Sequence, residues 1–297
     1  MARRKKGENI HGWLVVDKPQ GISSNDVVNK TRRLFDAKKN GHTGTLDPFA
    51  TGVLVIAFGE ATKLIPLVSE GEKEYEFVTQ WGKETDTLDT EGEVVASSDK
   101  MPSKDEIEAV LPSFLGKIKQ VPPAYSAIKV NGERAYNLAR KGEEVDIPER
   151  EIEIFELELL KVVSLDKAKF RVRCSKGTYV RTLGRDLALM LGSRGYLVEL
   201  KRTKNGVFGL DDAKNLETLE KMMYKEGLLA TQACLRDIAV IAVSEEDAAK
   251  LRLGQGLSPK AYPNFEGTAV AEFDKELVAI VEMGERKISP IRVFNFD

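Results

Sequence analysis

The sequence predicts an α+β protein: a mixed, largely antiparallel sheet flanked by helices, followed by a small β-rich domain at the C-terminal end. Strand-like and helix-like segments follow one another without the regular βαβ alternation of a parallel sheet. Several strand candidates alternate apolar with charged residues, which is typical of antiparallel strands with one wet face. The chain has 297 residues, and at roughly 150 residues per domain this length indicates about two domains.

The first domain is expected to span residues 1–237. Apolar runs and alternating patterns predict strands over residues 11–17, 53–58, 73–81, 151–159, 170–174 and 197–203. Helical spacing and end signals predict helices over residues 24–35, 103–111, 133–141 and 179–191. Ser23 or Ser24 caps the first helix, and Ser103 with Glu106 forms a capping box for the second. Gly142 and Gly192 end the last two helices.

The second domain is expected to span residues 238–297, because the character of the chain changes near Asp237. Ser244 can cap a short helix that ends at Leu253. Glycines and prolines then interrupt the chain, and three short strand candidates follow at residues 268–273, 277–282 and 288–294.

Composition narrows the class of protein. The hydrophobic share of 42% and the charged share of 31% are ordinary for a folded soluble chain. There is no run of about 18 apolar residues, so we expect no membrane-spanning helix, and residues 1–6 lack the apolar core of a secretory signal. Two cysteines, Cys174 and Cys234, are too few for a disulfide framework. We therefore expect a cytoplasmic protein.

Charge is unevenly distributed along the chain, although the net charge is only −2. Residues 1–63 carry a net charge of +5 and residues 171–209 a net charge of +7, whereas residues 70–108 carry −9. Such separation can present a positive face to a polyanion such as RNA. It can equally reflect ordinary solvated surfaces, and charge alone leaves both interpretations open.

Several common chemistries lack their sequence signatures. The chain has no GxGxxG, GxxxxGK[ST], GxSxG or HExxH motif. Its two histidines, His11 and His42, lie far in sequence from both cysteines, which argues against a zinc cluster. We therefore expect no metal and no cofactor, and a reaction that relies on a carboxylate.

The segment from Gly41 to Gly52 joins a basic helix to a buried strand and contains one acid, Asp47. Pro48 restricts Asp47 to extended backbone geometry, and the neighbouring glycines allow close approach by a ligand. Taken alone, the segment fits two interpretations: a turn in which Asp47 bonds its own backbone, or a carboxylate facing a substrate.

A family resemblance favours the second interpretation. The segment GHTGTLDPFATGVL resembles the catalytic signature of the bacterial tRNA pseudouridine-55 synthase family, TruB. Other blocks resemble that family in the same order: residues 17–28, 58–64, 73–77, 122–142 and 174–187. The C-terminal domain matches only in outline, at residues 253–255 and 270–274, which implies a PUA-like RNA-binding domain.

The resemblance implies a reaction and three catalytic residues. The family isomerises uridine 55 in the tRNA T loop by breaking the N-glycosidic bond, rotating the base and rejoining it through carbon 5. By this resemblance Asp47 is the catalytic carboxylate, which either adds to the anomeric carbon or removes the 2′ proton. Arg181 pairs with that acid, and Tyr75 stacks on the base and is the candidate for removing the carbon-5 proton.

The resemblance also implies substrate-binding residues. His42 fills the gap left by the extruded base, while Tyr179 and Leu200 form walls of the pocket. Lys18, with Pro19, shapes the floor beneath Asp47. Lys63 is the first of several candidate phosphate contacts, the others being Arg171, Arg173, Lys176, Arg185, Arg202, Lys204 and residues 3–6.

The expected partner is the tRNA T-stem loop, bound by a monomer without guide RNA, protein partner or membrane. Two alternatives remain open. One is an RNA-binding protein that helps tRNA to fold, with catalysis secondary or lost. The other is an rRNA-modifying relative that depends on a guide RNA.

Overall fold

The computed structural model describes residues 7–126, 128–130, 133–136, 146–221, 226–263 and 265–296. A large mixed sheet dominates residues 12–215. In order across the sheet, its strands are β14 (Lys214–Asn215), β1 (Gly12–Lys18), β3 (Thr51–Phe58), β12 (Gly195–Asn205), β4 (Lys73–Trp81), β11 (Lys167–Cys174), β10 (Arg150–Ser164) and β7 (Gly116–Gln120).

The pairing of these strands is largely antiparallel, as the sequence predicts. Only the contacts of β1 with β14 and of β3 with β12 are parallel along this path. β2 (Asn40–His42) adds to β3, and β13 (Phe208–Gly209) adds to β12. Two hairpins lie outside the sheet: β5 (Lys83–Thr85) with β6 (Val94–Ser97), and β8 (Lys129–Val130) with β9 (Glu133–Arg134). The α+β prediction is therefore confirmed.

The central strands are apolar on both faces because both faces are covered. Along β1, Leu14 and Val16 pack into one hydrophobic core, whereas Trp13 and Val15 pack into a second core on the opposite face. A run of consecutive apolar residues is the pattern expected for such a doubly buried strand.

Two helices begin at the capping residues that the sequence predicts. α1 (Ser24–Leu34) is capped by Ser23, and α3 (Lys104–Val110) opens with the capping box of Ser103 and Glu106. The described residues of this part also contain the helices α2 (Ile65–Glu70), α4 (Val180–Met190) and α5 (Leu216–Lys221).

The helix predicted over residues 133–141 is wrong at its start. Glu133 and Arg134 form the second strand of a hairpin with Lys129 and Val130. Antiparallel pairing with this neighbouring strand overrides the local helical pattern at these two residues. Ala135 and Tyr136 are helical, and residues 137–141 of the same prediction, with Gly142, lie outside the described residues.

A separate four-stranded sheet forms towards the C-terminal end, in the order β15-β16-β17-β18. The sequence predicts three of its strands, which are β16 (Gly267–Phe273), β17 (Glu276–Met283) and β18 (Ile288–Val293). It does not predict β15 (Ala239–Ala242), which pairs parallel with β16. Helix α6 (Glu245–Arg252) is capped by Ser244. Val270, Leu277 and Phe294 join the same core as Trp13, so the smaller sheet packs on one face of the larger.

Candidate active site

The loop that carries Asp47 is held by buried polar contacts from β1 and α1. Lys18, at the end of β1, is fully buried, and its ammonium donates to the carbonyls of Pro19, Ile22 and Pro48. The Ser24 hydroxyl donates to the Leu46 carbonyl and accepts from the Leu46 N–H. These bonds fix the residues on both sides of Asp47, and Lys18 lies beside the loop that the resemblance expects it to support.

The carboxylate of Asp47 pairs with Arg181. Arg181 Nε lies 3.0 Å from Asp47 Oδ2. Arg181 lies in the first turn of α4, and only 5% of its side chain is exposed, whereas 36% of the Asp47 side chain remains accessible. The contact places a fixed positive charge beside an acid that still faces the cavity.

A second carboxylate, Asp89, binds the same guanidinium. Asp89 Oδ2 lies 3.1 Å from Arg181 NH1, and the Asp89 side chain is only 2% exposed. Asp89 Oδ1 accepts from the Thr87 hydroxyl at 2.6 Å and from the Glu91 N–H at 2.9 Å. The residue before it, Leu88, has a left-handed backbone with φ of 62°. Asp89 is missing from the sequence predictions, because it belongs to an acidic segment in which no pattern singles out one carboxylate.

Arg181 also fixes two backbone segments. Its NH1 donates to the Thr87 carbonyl at 2.8 Å, and its NH2 donates to the Tyr125 carbonyl at 2.9 Å. A guanidinium has five N–H donors in a rigid planar fork. Contacts to Asp47, to Thr87 and Asp89 of one segment, and to Tyr125 therefore connect helix α4 to three other segments of the site.

Burial and the neighbouring charges shift the pKa of Asp47 in opposite directions. Burial in the pocket raises the pKa of Asp47 above its ordinary value, and the Arg181 charge opposes that rise. The negative charge of Asp89 adds to the rise in the pKa of Asp47, whereas Lys18 lowers it. The result is a carboxyl whose proton is bound more tightly than that of a free aspartic acid.

Tyr75 lies on β4 directly opposite Arg202 of β12. Burial raises the pKa of the Tyr75 phenol, and the charge and hydrogen bond of Arg202 counteract this rise. The net effect is a raised pKa, so the pocket favours the neutral phenol, and Arg202 is the group that acts against this.

The prediction that Arg202 contacts RNA phosphate is wrong. Arg202 is only 1% exposed, and its guanidinium donates to the carbonyls of Val53 at 2.8 Å and Gly44 at 2.9 Å. A longer contact of 3.4 Å joins NH1 to the Thr45 carbonyl. Arg202 thus supports the Asp47 loop through its bonds to backbone carbonyls, although it also lines the cavity described next.

A cavity of about 270 Å³ opens in front of these groups. Asp47, Tyr75 and Arg181 line it, as do the predicted wall residues Tyr179 and Leu200. Five of the predicted site residues therefore meet around one space that can admit a small planar group. Residues that the sequence does not single out also line it, namely Thr43, Ser69, Lys73, Ser126 and Ser175.

His42 and Lys63 do not line this cavity. His42, on β2, is partly buried; its Nδ1 accepts from the Gly44 N–H at 3.2 Å, and burial lowers its pKa. Lys63 donates to Glu60 at 2.5 Å and to the Val293 carbonyl at 2.9 Å, so it joins the two sheets. These are structural contacts, but 30% of the Lys63 side chain is exposed, and its role as a phosphate contact stays a prediction.

Most other candidate phosphate contacts are already paired with carboxylates. Arg173 binds Glu72 and Glu156, and Arg171 binds Glu158. The remaining pairs are Lys176 with Glu70 and Arg185 with Asp186. Lys204 is exposed, and residues 3–6 lie outside the described residues.

Across the described ranges there is no His, Cys, Asp and Glu cluster that could hold a metal. None of the helices described is long and apolar enough to cross a membrane.

The chain is similar to known proteins over almost its whole length. Residues 32–180 match the model of the TruB family pseudouridylate synthase N-terminal domain, and residues 181–241 match that of the tRNA pseudouridylate synthase B C-terminal domain. The chain is 45% identical to the tRNA pseudouridine synthase B of Caulobacter vibrioides over 99% of both chains. It is also 45% identical to that of Bradyrhizobium diazoefficiens, over 98% of this chain and 88% of that protein.

Solved structures show the same fold at low identity. A chain of a Cbf5-Nop10-Gar1 complex superposes with a TM-score of 0.74 at 22% identity, covering 97% of this chain and 85% of that one. A chain of an H/ACA RNP bound to a substrate RNA containing 2′-deoxyuridine gives a TM-score of 0.73 at 20% identity, covering 99% of this chain and 92% of that one.

Proposed function

The chain belongs to the TruB family of pseudouridylate synthases, and from this premise we propose that it isomerises uridine 55 in the T loop of tRNA to pseudouridine. The single observation that carries the proposal for this site is the Asp47 carboxylate, held 3.0 Å from Arg181 at the wall of a cavity lined by Tyr75. The cavity has room for a base that has left its stack, and extruding such a base costs a few kcal/mol.

The reaction exchanges one bond for another within a single nucleotide. The bond between N1 and C1′ breaks, the uracil rotates, and a bond forms between C5 and C1′. The hydrogen on C5 leaves as a proton, and N1 gains a proton, so the isomerisation involves no net oxidation. No external group donor enters this balance.

Asp47 is the residue that we assign to the sugar. Its ionised carboxylate either adds to the anomeric carbon or removes the 2′ proton, and both routes need the acid unprotonated. Because burial raises the pKa of Asp47, the adjacent guanidinium of Arg181 is what favours the ionised form in this pocket.

Tyr75 is the residue that we assign to the base. Its ring lines the cavity, where it can stack on an extruded uracil, and its hydroxyl is the candidate acceptor of the carbon-5 proton. Tyr179 and Leu200 complete the walls, and His42 is proposed to fill the space that the base leaves in the RNA. Recognition of a folded RNA loop in this way relies on shape and stacking.

We further propose that residues 238–297 act as a PUA-like RNA-binding domain and that the enzyme works in the cytoplasm as a monomer, without guide RNA or protein partner. The support is the family membership together with relatives at 45% identity that cover 99% of the chain. The Cbf5 complexes share the fold alone, and they give this chain no partner.

A minimal hairpin tests the function and the independence from a guide together. The purified protein alone is mixed with a transcript of the T-stem loop that carries tritium on carbon 5 of its uridines. We expect release of one tritium per hairpin, from the target uridine. If a folding helper were the better description, the hairpin and full tRNA would bind without tritium release. Modification only after addition of a guide RNA would contradict the stand-alone assignment.

A further inference from the structure

Ser126 carries a hydroxyl for which the reaction described above has no use. The residue is 5% exposed and lines the cavity in front of Asp47. Within the ranges that the structure describes, its Oγ has no hydrogen-bond partner of normal geometry. A buried polar group without a partner is costly, and such groups concentrate where a ligand completes the bonding.

The backbone holds this hydroxyl at the cavity. Arg181 NH2 donates to the carbonyl of Tyr125 at 2.9 Å. The Ser126 N–H donates to the Ala124 carbonyl at 3.0 Å, and the Ser126 carbonyl accepts from Tyr136 at 3.1 Å. The guanidinium that binds Asp47 therefore also sets the position of Ser126.

The polar neighbour of Ser126 is Tyr179. Both residues line the cavity, and Ser126 is among the groups that lower the pKa of the Tyr179 phenol against the larger rise caused by burial. Tyr179 is itself fixed, because its N–H and carbonyl both bond the Gln120 amide, at 2.8 Å and 3.1 Å. The two hydroxyls form a polar stretch of a wall that continues as the apolar side chain of Leu200.

An extruded uracil needs three kinds of contact. Its sugar must meet Asp47, and its faces must meet the ring of Tyr75 and the side chain of Leu200. The remaining part of the base is the edge with O2, N3–H and O4, which is polar and loses its water on entry. Ser126 supplies a hydroxyl that can donate to either carbonyl oxygen or accept from N3–H.

We propose that the Ser126 hydroxyl hydrogen-bonds the O2, N3, O4 edge of the extruded uracil and holds the base while it is detached from the sugar. This inference rests on the proposed function and deepens it, since it assigns a residue that binds the polar edge of the base. Ser126 is in this sense a base-binding residue.

A single hydroxyl can bond the uracil edge both before and after the base rotates. Turning uracil about the axis through N3 and C6 brings C5 to the former place of N1 and exchanges O2 with O4. The edge therefore presents acceptor, donor, acceptor both before and after the turn. Cytosine has an amine in place of O4, so the same turn would replace an acceptor with a donor. One fixed hydroxyl can hold uracil in both orientations, and it meets an altered edge in cytosine.

The hydrogen bond between Ser126 and the base is tested by comparing substrate analogues on the wild type and on Ser126→Ala. Hairpins are prepared with uridine, 2-thiouridine or 4-thiouridine at the target position, and single-turnover rates are measured by chromatography of the digested nucleosides. On the uridine hairpin we expect Ser126→Ala to slow the reaction by roughly 10- to 100-fold, since one buried bond to a polar edge is lost. In the wild type, sulfur at either position slows the reaction because it is the weaker acceptor.

The decisive quantity is the ratio of the uridine rate to each thiouridine rate. We expect both ratios to fall towards one in Ser126→Ala, because the variant has no hydroxyl left to sense the sulfur. The matched control is Ser69→Ala: Ser69 lines the same cavity, but its hydroxyl already donates to the Thr43 carbonyl at 2.7 Å. This variant should keep the wild-type ratios whatever its rate.

Two outcomes overturn the proposal: a Ser126→Ala rate within twofold of wild type on uridine, or sulfur ratios that Ser126→Ala leaves within twofold of wild type. If Ser126→Ala does not fold, as judged by thermal melting, Ser126→Cys takes its place with its weaker donor and is expected to lower both ratios partway. Failure of the wild type on the uridine hairpin would instead contradict the proposed function, so the two failures are separable.

Discussion

Replacing Asp89 with asparagine tests whether Arg181 works through two carboxylates. The change keeps the shape of the side chain and an oxygen that can accept, but it removes the negative charge 3.1 Å from Arg181 NH1. Both side chains are at most 5% exposed, so solvent screens the interaction little. The variant therefore leaves one buried guanidinium with a single carboxylate, that of Asp47.

The magnitude follows from the kind of bond that is lost. Arg181 keeps its charge, so the variant loses only the part of the bond that comes from the Asp89 charge; we take this as about 1–2 kcal/mol of the roughly 1.5–3 kcal/mol that a hydrogen bond to a charged group contributes. If this loss falls on the transition state, the rate drops roughly 5- to 30-fold. The pH profile adds a sign: the Asp89 charge raises the pKa of Asp47, so its removal lowers that pKa. The acidic limb of the rate profile should then move to lower pH while the plateau falls.

Single-turnover tritium release between about pH 5 and 8 measures both effects. The matched control is Asp86→Asn, an exposed acid of the same segment that accepts from the Glu93 N–H at 2.9 Å. We expect this control to keep the wild-type plateau and limb. An Asp89→Asn plateau within twofold of wild type, or an acidic limb displaced to higher pH, would refute the reasoning.

Three further predictions concern arginine and lysine side chains that the sequence analysis treats as phosphate contacts. Arg202→Lys should lower the free energy of unfolding by about 2 kcal/mol in urea titration, because lysine cannot reproduce the bonds to Val53 and Gly44; unchanged stability would contradict the buried role. Lys63→Met should cost about 1 kcal/mol of stability and leave the tRNA Kd within twofold, whereas a tenfold weaker Kd would restore it as a phosphate contact. Lys204→Ala should reduce the slope of log Kd against log salt by about 1 and Arg173→Ala by clearly less, since two carboxylates already bind Arg173; equal slopes would show that these ion pairs open on RNA.

Local patterns predict those parts of the molecule that depend on neighbours in sequence. The doubly apolar strand β3 and the caps of α1 and α3 are set within a few residues, and the structure confirms them. The resemblance works for the same reason, because Asp47, Tyr75 and Arg181 each lie in a contiguous motif. The structure brings these three side chains to one cavity, as the resemblance implies.

Features that depend on distant pairing are not predictable in this way. Charge counts treat Arg202 and Lys204 alike, although one is buried under the Asp47 loop and the other is exposed. Asp89 is one acid among many in its segment, and only the fold shows that it meets Arg181, 92 residues away in sequence. Ser126 lies within a block that resembles the family, yet its significance comes from a buried hydroxyl that has no hydrogen-bond partner among the described residues. The four-residue strand β15 is too short to give a pattern.

Asp47→Asn gives the most direct test of the central claim, which is that this carboxylate carries out the chemistry. The variant is compared with wild type for tritium release from the labelled T-stem loop and for binding to the same hairpin. We predict that release slows at least about 1,000-fold, while the Kd stays within about threefold because binding depends on the walls and the phosphate contacts. Release within tenfold of the wild-type rate, from an Asp47→Asn protein that melts as a folded chain, would contradict the account.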